Sequence, residues 1–128
     1  MRVEEMYFIK IEAAAHSNAE EGKEELVDFM KEYRDPSYKG TATSQADIIK
    51  EIVLQKRIEL WGEGQSFFDI KRLDYAVNNA YNGTNHPTSG QLTTTRRPAW
   101  MNWVIVLTEQ NNNAALVGWN NPDPTGKY

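Results

Sequence analysis

Three carboxylates, Glu59, Glu63 and Asp69, lie in one short stretch of the chain. Paired carboxylates suit glycoside hydrolysis when one keeps its proton and the other is ionised across a sugar-sized gap. Lys56, Arg57, Lys71 and Arg72 crowd the same stretch and favour the ionised form of every carboxylate there. The structural reading is therefore preferred: an ion-pair and capping network that locks a turn of the chain. His16 and His86 are far apart in sequence and neither has a ligand-spaced partner, so no metal site is expected. There is no cysteine and no G-x-S-x-G, and Gly62-Glu63-Gly64 lacks the third glycine and leading strand of a dinucleotide motif. No set of catalytic roles can be filled, so a non-enzymatic protein without a cofactor is expected.

Aromatic side chains carry the remaining chemistry, because sugar rings stack their apolar faces on indole and phenol rings. Trp61, Phe67 and Phe68 fall inside a periodic helical pattern and are assigned to the core. Tyr81, Trp100, Trp103 and Trp119 lie in or beside irregular segments. They are the candidate ligand contacts, although packing beneath a loop is the preferred reading for each.

The elements that position these residues are mainly helical. Residues 2–16 read as a helix so thick in Met6, Tyr7, Phe8, Ile9 and Ile11 that neighbouring helices should cover it, with Ala13-Ala14-Ala15 permitting a close crossing. Residues 18–33 give a second helix, with a stripe of Leu26, Phe29, Met30 and Tyr33 and a charged face read as solvated. Together they have the size of one tetratricopeptide-like hairpin. Asp35-Pro36 opens a linker to Thr43. Ser44 is then a plausible N-cap, reinforced by Asp47, for a helix carrying Ile48, Ile49, Ile52, Val53, Leu60 and Trp61 on one face. Gly62 and Gly64 end it, and a second amphipathic helix restarts at Ser66 with Phe67, Ile70, Leu73 and Val77 aligned, making a helix-turn-helix corner. Residues 82–98 read as a long surface loop, and Trp103-Val104-Ile105-Val106-Leu107 as a short strand or extended segment. Thr108 is expected to cap a brief helical turn ahead of an irregular tail over 120–124.

With 128 residues the chain suffices for one modest domain, and a net charge of −4 argues against a nucleic-acid partner. No apolar run is long enough for a transmembrane helix.

The stretch Gln55-Lys56-Arg57-Ile58-Glu59-Leu60, followed by Glu63-Gly64-Gln65-Ser66-Phe67-Phe68-Asp69-Ile70-Lys71-Arg72, resembles the C-terminal signature of the SusD/RagB family, E-R-R-x-E-L and then E-G-x-R-x-x-D-L-K-R. Residues 2–13 resemble the family's R-x-A-E-M-Y-L-x-x-A-E-A helix, and Thr108, Glu109, Asn113, Leu116, Asn121 and Pro122 loosely fit its last segment. Arg57, Glu59, Gly64, Asp69 and Arg72 match the signature, while Lys56 and Ser66 depart from it. The resemblance covers nearly the whole chain except 82–98. It implies a surface-exposed, lipid-anchored outer-membrane protein of Bacteroidota that binds oligosaccharides or other nutrients and passes them to a SusC-like TonB-dependent transporter. Such a lipoprotein carries an export signal and a lipidated cysteine, and this chain has neither. The expectation is a C-terminal portion of a longer protein, comprising a hairpin over 1–34, signature helices over 44–81 and an irregular loop and tail over 82–128; a short gene product is the alternative. The competing functions are a helical-repeat interaction module and, behind it, a small glycoside hydrolase.

Overall fold

The computed structural model describes residues 2–121, in two compact units, 1–66 and 67–128. The first is a three-helix assembly of α1 (Val3–Ser17), α2 (Ala19–Tyr33) and α3 (Gln45–Glu59). Asn18 makes the sharp reversal between α1 and α2. Its backbone N–H closes α1 on the Ala14 carbonyl at 2.7 Å, and its side chain accepts from the Glu20 and Glu21 amides that open α2. The two helices approach very closely at Gly22, where an added Cβ would lie 2.4 Å from the Ala15 Cβ. The alanine patch anticipated as a crossing point is thus used, with glycine as the partner surface.

Phe8, Ile11, Ala15, Leu26, Phe29, Met30, Ile48 and Ile52 form the core. Ser44 caps α3 by accepting from the Asp47 amide, as expected. The Gln45 amide donates to the carbonyls of Ala15 (2.9 Å) and His16 (3.1 Å), so the start of α3 satisfies acceptors left open at the end of α1. The linker is held as well. The Tyr38 hydroxyl donates to Glu51, whose other oxygen accepts from the Ala42 amide; burial, followed by the hydrogen bond to Glu51, pushes the Tyr38 phenol well above its ordinary range.

In α1, Val3, Met6, Tyr7 and Ile9 remain exposed. The sequence expectation is a helix buried by neighbours, part of its apolar surface being covered by helices of a longer protein; within this unit Phe8, Ile11, Glu12 and Ala15 are buried.

The second unit contains most of α4 (Gln65–Arg72), the short helix α5 (Leu107–Asn112) and three single 3-10 turns. Helix α4 stops five residues short of Val77, which had been placed on its stripe: Asp74 adopts φ 55° and the Tyr75 amide closes on the Ile70 carbonyl. The stretch 73–81 is accordingly not helical. Residues 77–79 instead pair with 92–94, through an isolated antiparallel bridge between Asn78 and Thr93 flanked by Asn79 N–H to Leu92 O (3.0 Å) and Thr94 N–H to Val77 O (3.0 Å). Part of the segment read as a free loop is therefore a pinned ribbon. Residues 103–106 form neither helix nor strand, with Val106 in extended geometry, and no strand occurs among the described residues. Thr108 lies inside α5 rather than capping it; Val106 is the N-cap residue. The tail beyond Asn121, including Pro122, lies outside the described residues.

Candidate functional site

Within residues 1–66, Glu59 and Glu63 join an arginine–glutamate network with Arg2 and Arg34. Glu59, at the last turn of α3, accepts from Arg34 twice, at 2.6 Å from Nε and 2.6 Å from Nη2, and from Arg2 Nη2 at 3.0 Å. Arg2 also donates to Glu63 (2.7 Å), Glu4 (3.2 Å) and the Glu59 carbonyl (3.3 Å). Two guanidinium groups thus bind the ends of α1, α2 and α3 together through one carboxylate whose side chain is only 11% exposed. The Arg34 hydrogen bonds, outweighing the cost of burial, hold the Glu59 carboxyl below its ordinary range, and Arg2 does the same for Glu4. A general acid needs the opposite shift. The partners expected for Glu59 were its neighbours; Arg57 is exposed on α3, and the cations that bind Glu59 are 57 and 25 residues away in sequence. Gly62 (φ 80°) and Gly64 (φ 78°) then turn the chain in a left-handed conformation that glycine adopts without strain.

In the second unit the buried Asp69 accepts from Arg72 Nε (2.9 Å) and Nη2 (2.8 Å), the pairing the signature suggests. The end of α4 is fastened by two residues to which no role had been assigned. Arg97 donates to the Lys71 carbonyl at 3.0 Å, and Arg96 pairs with Asp74 at 2.9 Å, lowering the Asp74 carboxyl. No local signal marks this pairing, because the partners are separated by the ribbon.

The candidate ligand contacts Tyr81, Trp100, Trp103 and Trp119 all belong to this unit, and all are exposed; packing beneath a loop was preferred for them and does not occur. Trp103 is 86% and Trp119 80% exposed. Their backbones are fixed relative to each other: the Asn120 side chain accepts from the Ile105 amide (2.8 Å) and donates to the Ile105 carbonyl (3.1 Å), while Asn121 donates to the Trp103 carbonyl (2.6 Å). One asparagine thereby substitutes for a neighbouring strand along 103–105 and holds the two tryptophan-bearing segments side by side. Tyr81 and Trp100 are not joined to this clamp by any hydrogen bond of their own side chains among the described residues. Trp61 and Phe68, assigned to the core, are 86% and 61% exposed, and Phe67 is 38% exposed. Periodicity put them on an apolar face without showing what would cover it. Among the described residues no three His, Cys, Asp or Glu side chains gather into a metal-binding group, and no helix is long and apolar enough to cross a membrane.

The described residues thus comprise a helical hairpin tied to a third helix by arginine–glutamate pairs, and a loop-rich unit bearing exposed indoles. The chain belongs to the SusD family, whose model matches residues 1–122. It is similar to the crystal structure of a SusD-like carbohydrate binding protein from Bacteroides vulgatus, with 28% sequence identity and a TM-score of 0.69. The match covers 100% of this chain and 31% of that one, so the chain spans about a third of its structural relative. No curated protein matches it.

Proposed function

We propose that the protein to which this chain belongs binds oligosaccharide at the bacterial cell surface and releases it unaltered for import. The observation that carries this reading is the pair of exposed indoles, Trp103 and Trp119, held in register by Asn120 and Asn121. Exposed aromatics carried on backbone segments tied together in this way offer a sugar ring a stacking surface. Trp100 and Tyr81 are the next candidates for the same surface. The carbohydrate named for the similar Bacteroides protein supports the ligand class. Family membership supports a SusC-like TonB-dependent transporter as receiver, an outer-membrane location through an anchor outside this chain, and the grouping of 1–34, 44–81 and 82–128 as parts of one larger domain.

We assign Glu59 and Glu63 a structural role, a reading supported by the engagement of both by Arg2 and of Glu59 by Arg34 as well. The signature residues Arg57, Gly64, Asp69 and Arg72 are assigned the same structural character. Affinity measurements on the full-length protein against a panel of oligosaccharides test the reading. Trp103→Ala and Trp119→Ala are each expected to weaken binding about tenfold, as for a truncated aromatic anchor worth somewhat over 1 kcal/mol. Unchanged affinity in both variants, or release of shortened sugars by the wild-type protein, would overturn it.

A further inference from the structure

The turn over 81–84 carries chemistry that sugar binding does not use. Asn82-Gly83 is the single Asn-Gly pair of the sequence, and both residues are exposed. The Thr84 amide donates to the Tyr81 carbonyl at 3.1 Å, and Gly83 has φ 85° while Asn82 has no positive φ, the signs of a type II turn with glycine at the position that demands it. Among the described residues no hydrogen bond holds either the Asn82 side chain or the Gly83 amide. A Cβ on Gly83 would meet nothing within 4 Å beyond its chain neighbours, so solvent reaches the peptide from that side.

The preceding asparagines are built differently. The amide that follows Asn78 is that of Asn79, which donates to the Leu92 carbonyl at 3.0 Å. The amide that follows Asn79 is that of Ala80, which donates to Asn78 Oδ1 at 3.1 Å. Both side chains are engaged across the ribbon as well: Asn78 Oδ1 accepts from the Thr93 hydroxyl at 3.1 Å, and Asn79 Nδ2 donates to the Gly90 carbonyl at 3.1 Å. At 78 and 79 the fold thus occupies the following backbone nitrogen and the side-chain amide together; at 82 it leaves both open.

We propose that Asn82 is a site of spontaneous backbone modification, in which the Gly83 amide nitrogen closes on the Asn82 side chain to form a succinimide. A hydroxide ion removes the Gly83 N–H proton as the nitrogen bonds to Cγ. The Cγ–Nδ2 bond breaks, and Nδ2 takes up a proton from water and leaves as ammonia. A second water then opens the ring. Attack at Cγ gives aspartate, and attack at the backbone carbonyl carbon gives isoaspartate, with the chain rerouted through the former side chain. Glycine after the asparagine is what lets Cγ approach the nitrogen without a side chain in the way. Either product adds one negative charge to a chain of net charge −4. Isoaspartate also inserts a methylene into the backbone between Tyr81 and Gly83, which breaks the 3.1 Å bond that closes the turn carrying the Tyr81 ring.

The test is incubation of the full-length protein in warm neutral buffer, followed by peptide mass spectrometry, which reads the exchange of amide for acid, and by labelling with an isoaspartyl methyltransferase. Asn82 is expected to convert first, at a rate that rises with pH, while Asn78 and Asn79 keep their amides over the same period. Because the turn need not open, unfolding in urea should change the Asn82 rate by less than about threefold. Gly83→Ala should slow conversion at least about tenfold, with an unchanged circular dichroism spectrum showing that the variant is folded. Asn82→Gln should remove the product, which assigns it to this residue. Conversion of Asn82 only in urea, conversion of Asn78 or Asn79 as fast as Asn82, an unchanged rate in Gly83→Ala, or product persisting in Asn82→Gln would each overturn the proposal.

Discussion

Replacing Glu59 with glutamine removes the charge that two guanidinium groups share while keeping the side chain's volume. The magnitude follows from its setting. Truncating one member of a fully buried pair costs about 3–5 kcal/mol, whereas exposed pairs are worth about 0–1 kcal/mol. Glu59 is nearly buried at 11% side-chain exposure, but Arg2 and Arg34 are 42% and 38% exposed, so water screens the charges left behind. The expected loss is about 2 kcal/mol, a fall of roughly 8–16 °C in the melting temperature of a unit of this size. The assay is chemical denaturation of wild type, Glu59→Gln, Arg34→Met and the double variant, because Arg34→Met also gives up its contact over Phe29 and only the cycle isolates the pair. A coupling of about 1–2 kcal/mol is expected, with sugar affinity of the full-length protein unchanged. Stability within about 0.5 kcal/mol of wild type together with lost sugar binding would refute the structural assignment of Glu59.

Three further outcomes follow from the same geometry. Gly22→Ala should cost about 3 kcal/mol or more by denaturation, because its Cβ would meet Ala15 backbone atoms at 2.5 Å and the α1–α2 crossing cannot yield without opening the core. Gly62→Ala has open space around its Cβ and should cost only about 1 kcal/mol, all of it from forcing a left-handed conformation on alanine. Acid should destabilise the protein in a defined window: Glu59 and Glu4 have carboxyls lowered in the fold from an ordinary value of 4.5, so their contribution is complete above that pH and is lost as pH falls through the depressed folded values. The melting temperature measured against pH should be nearly level above about pH 5 and fall below it; a rise on acidification would contradict the ion-pair account.

What was legible in the sequence was local. Ser44 with Asp47, Asn18 before an acidic turn, and Gly62 and Gly64 after Leu60 each announce an element boundary through contacts only a few residues apart. The stripes on α2 and α3 likewise named Leu26, Phe29, Met30, Ile48, Ile52 and Val53 as buried. Burial depends on what covers a face, and that is not written in its period. Trp61 continues the α3 stripe yet projects into solvent past the last turn. Val77 continues the α4 stripe, but Asp74 has already reversed the chain. Glu59 could be recognised as a charge needing partners, although neither Arg2 nor Arg34 could be chosen from among the arginines. The ribbon at 92–94 had a readable signal in the β-branched run Thr93-Thr94-Thr95, masked by the glycine- and asparagine-rich composition around it. The Asn120 clamp had none, because an asparagine in a polar tail is compatible with many partners.

The most direct test of the binding account is titration of the full-length protein with oligosaccharides, read at once by calorimetry and by chromatography of the recovered sugar. The account predicts saturable binding that Trp103→Ala and Trp119→Ala weaken and Glu59→Gln does not, with every sugar recovered intact. Cleaved products that disappear on Glu59→Gln or Glu63→Gln while the fold persists would contradict it.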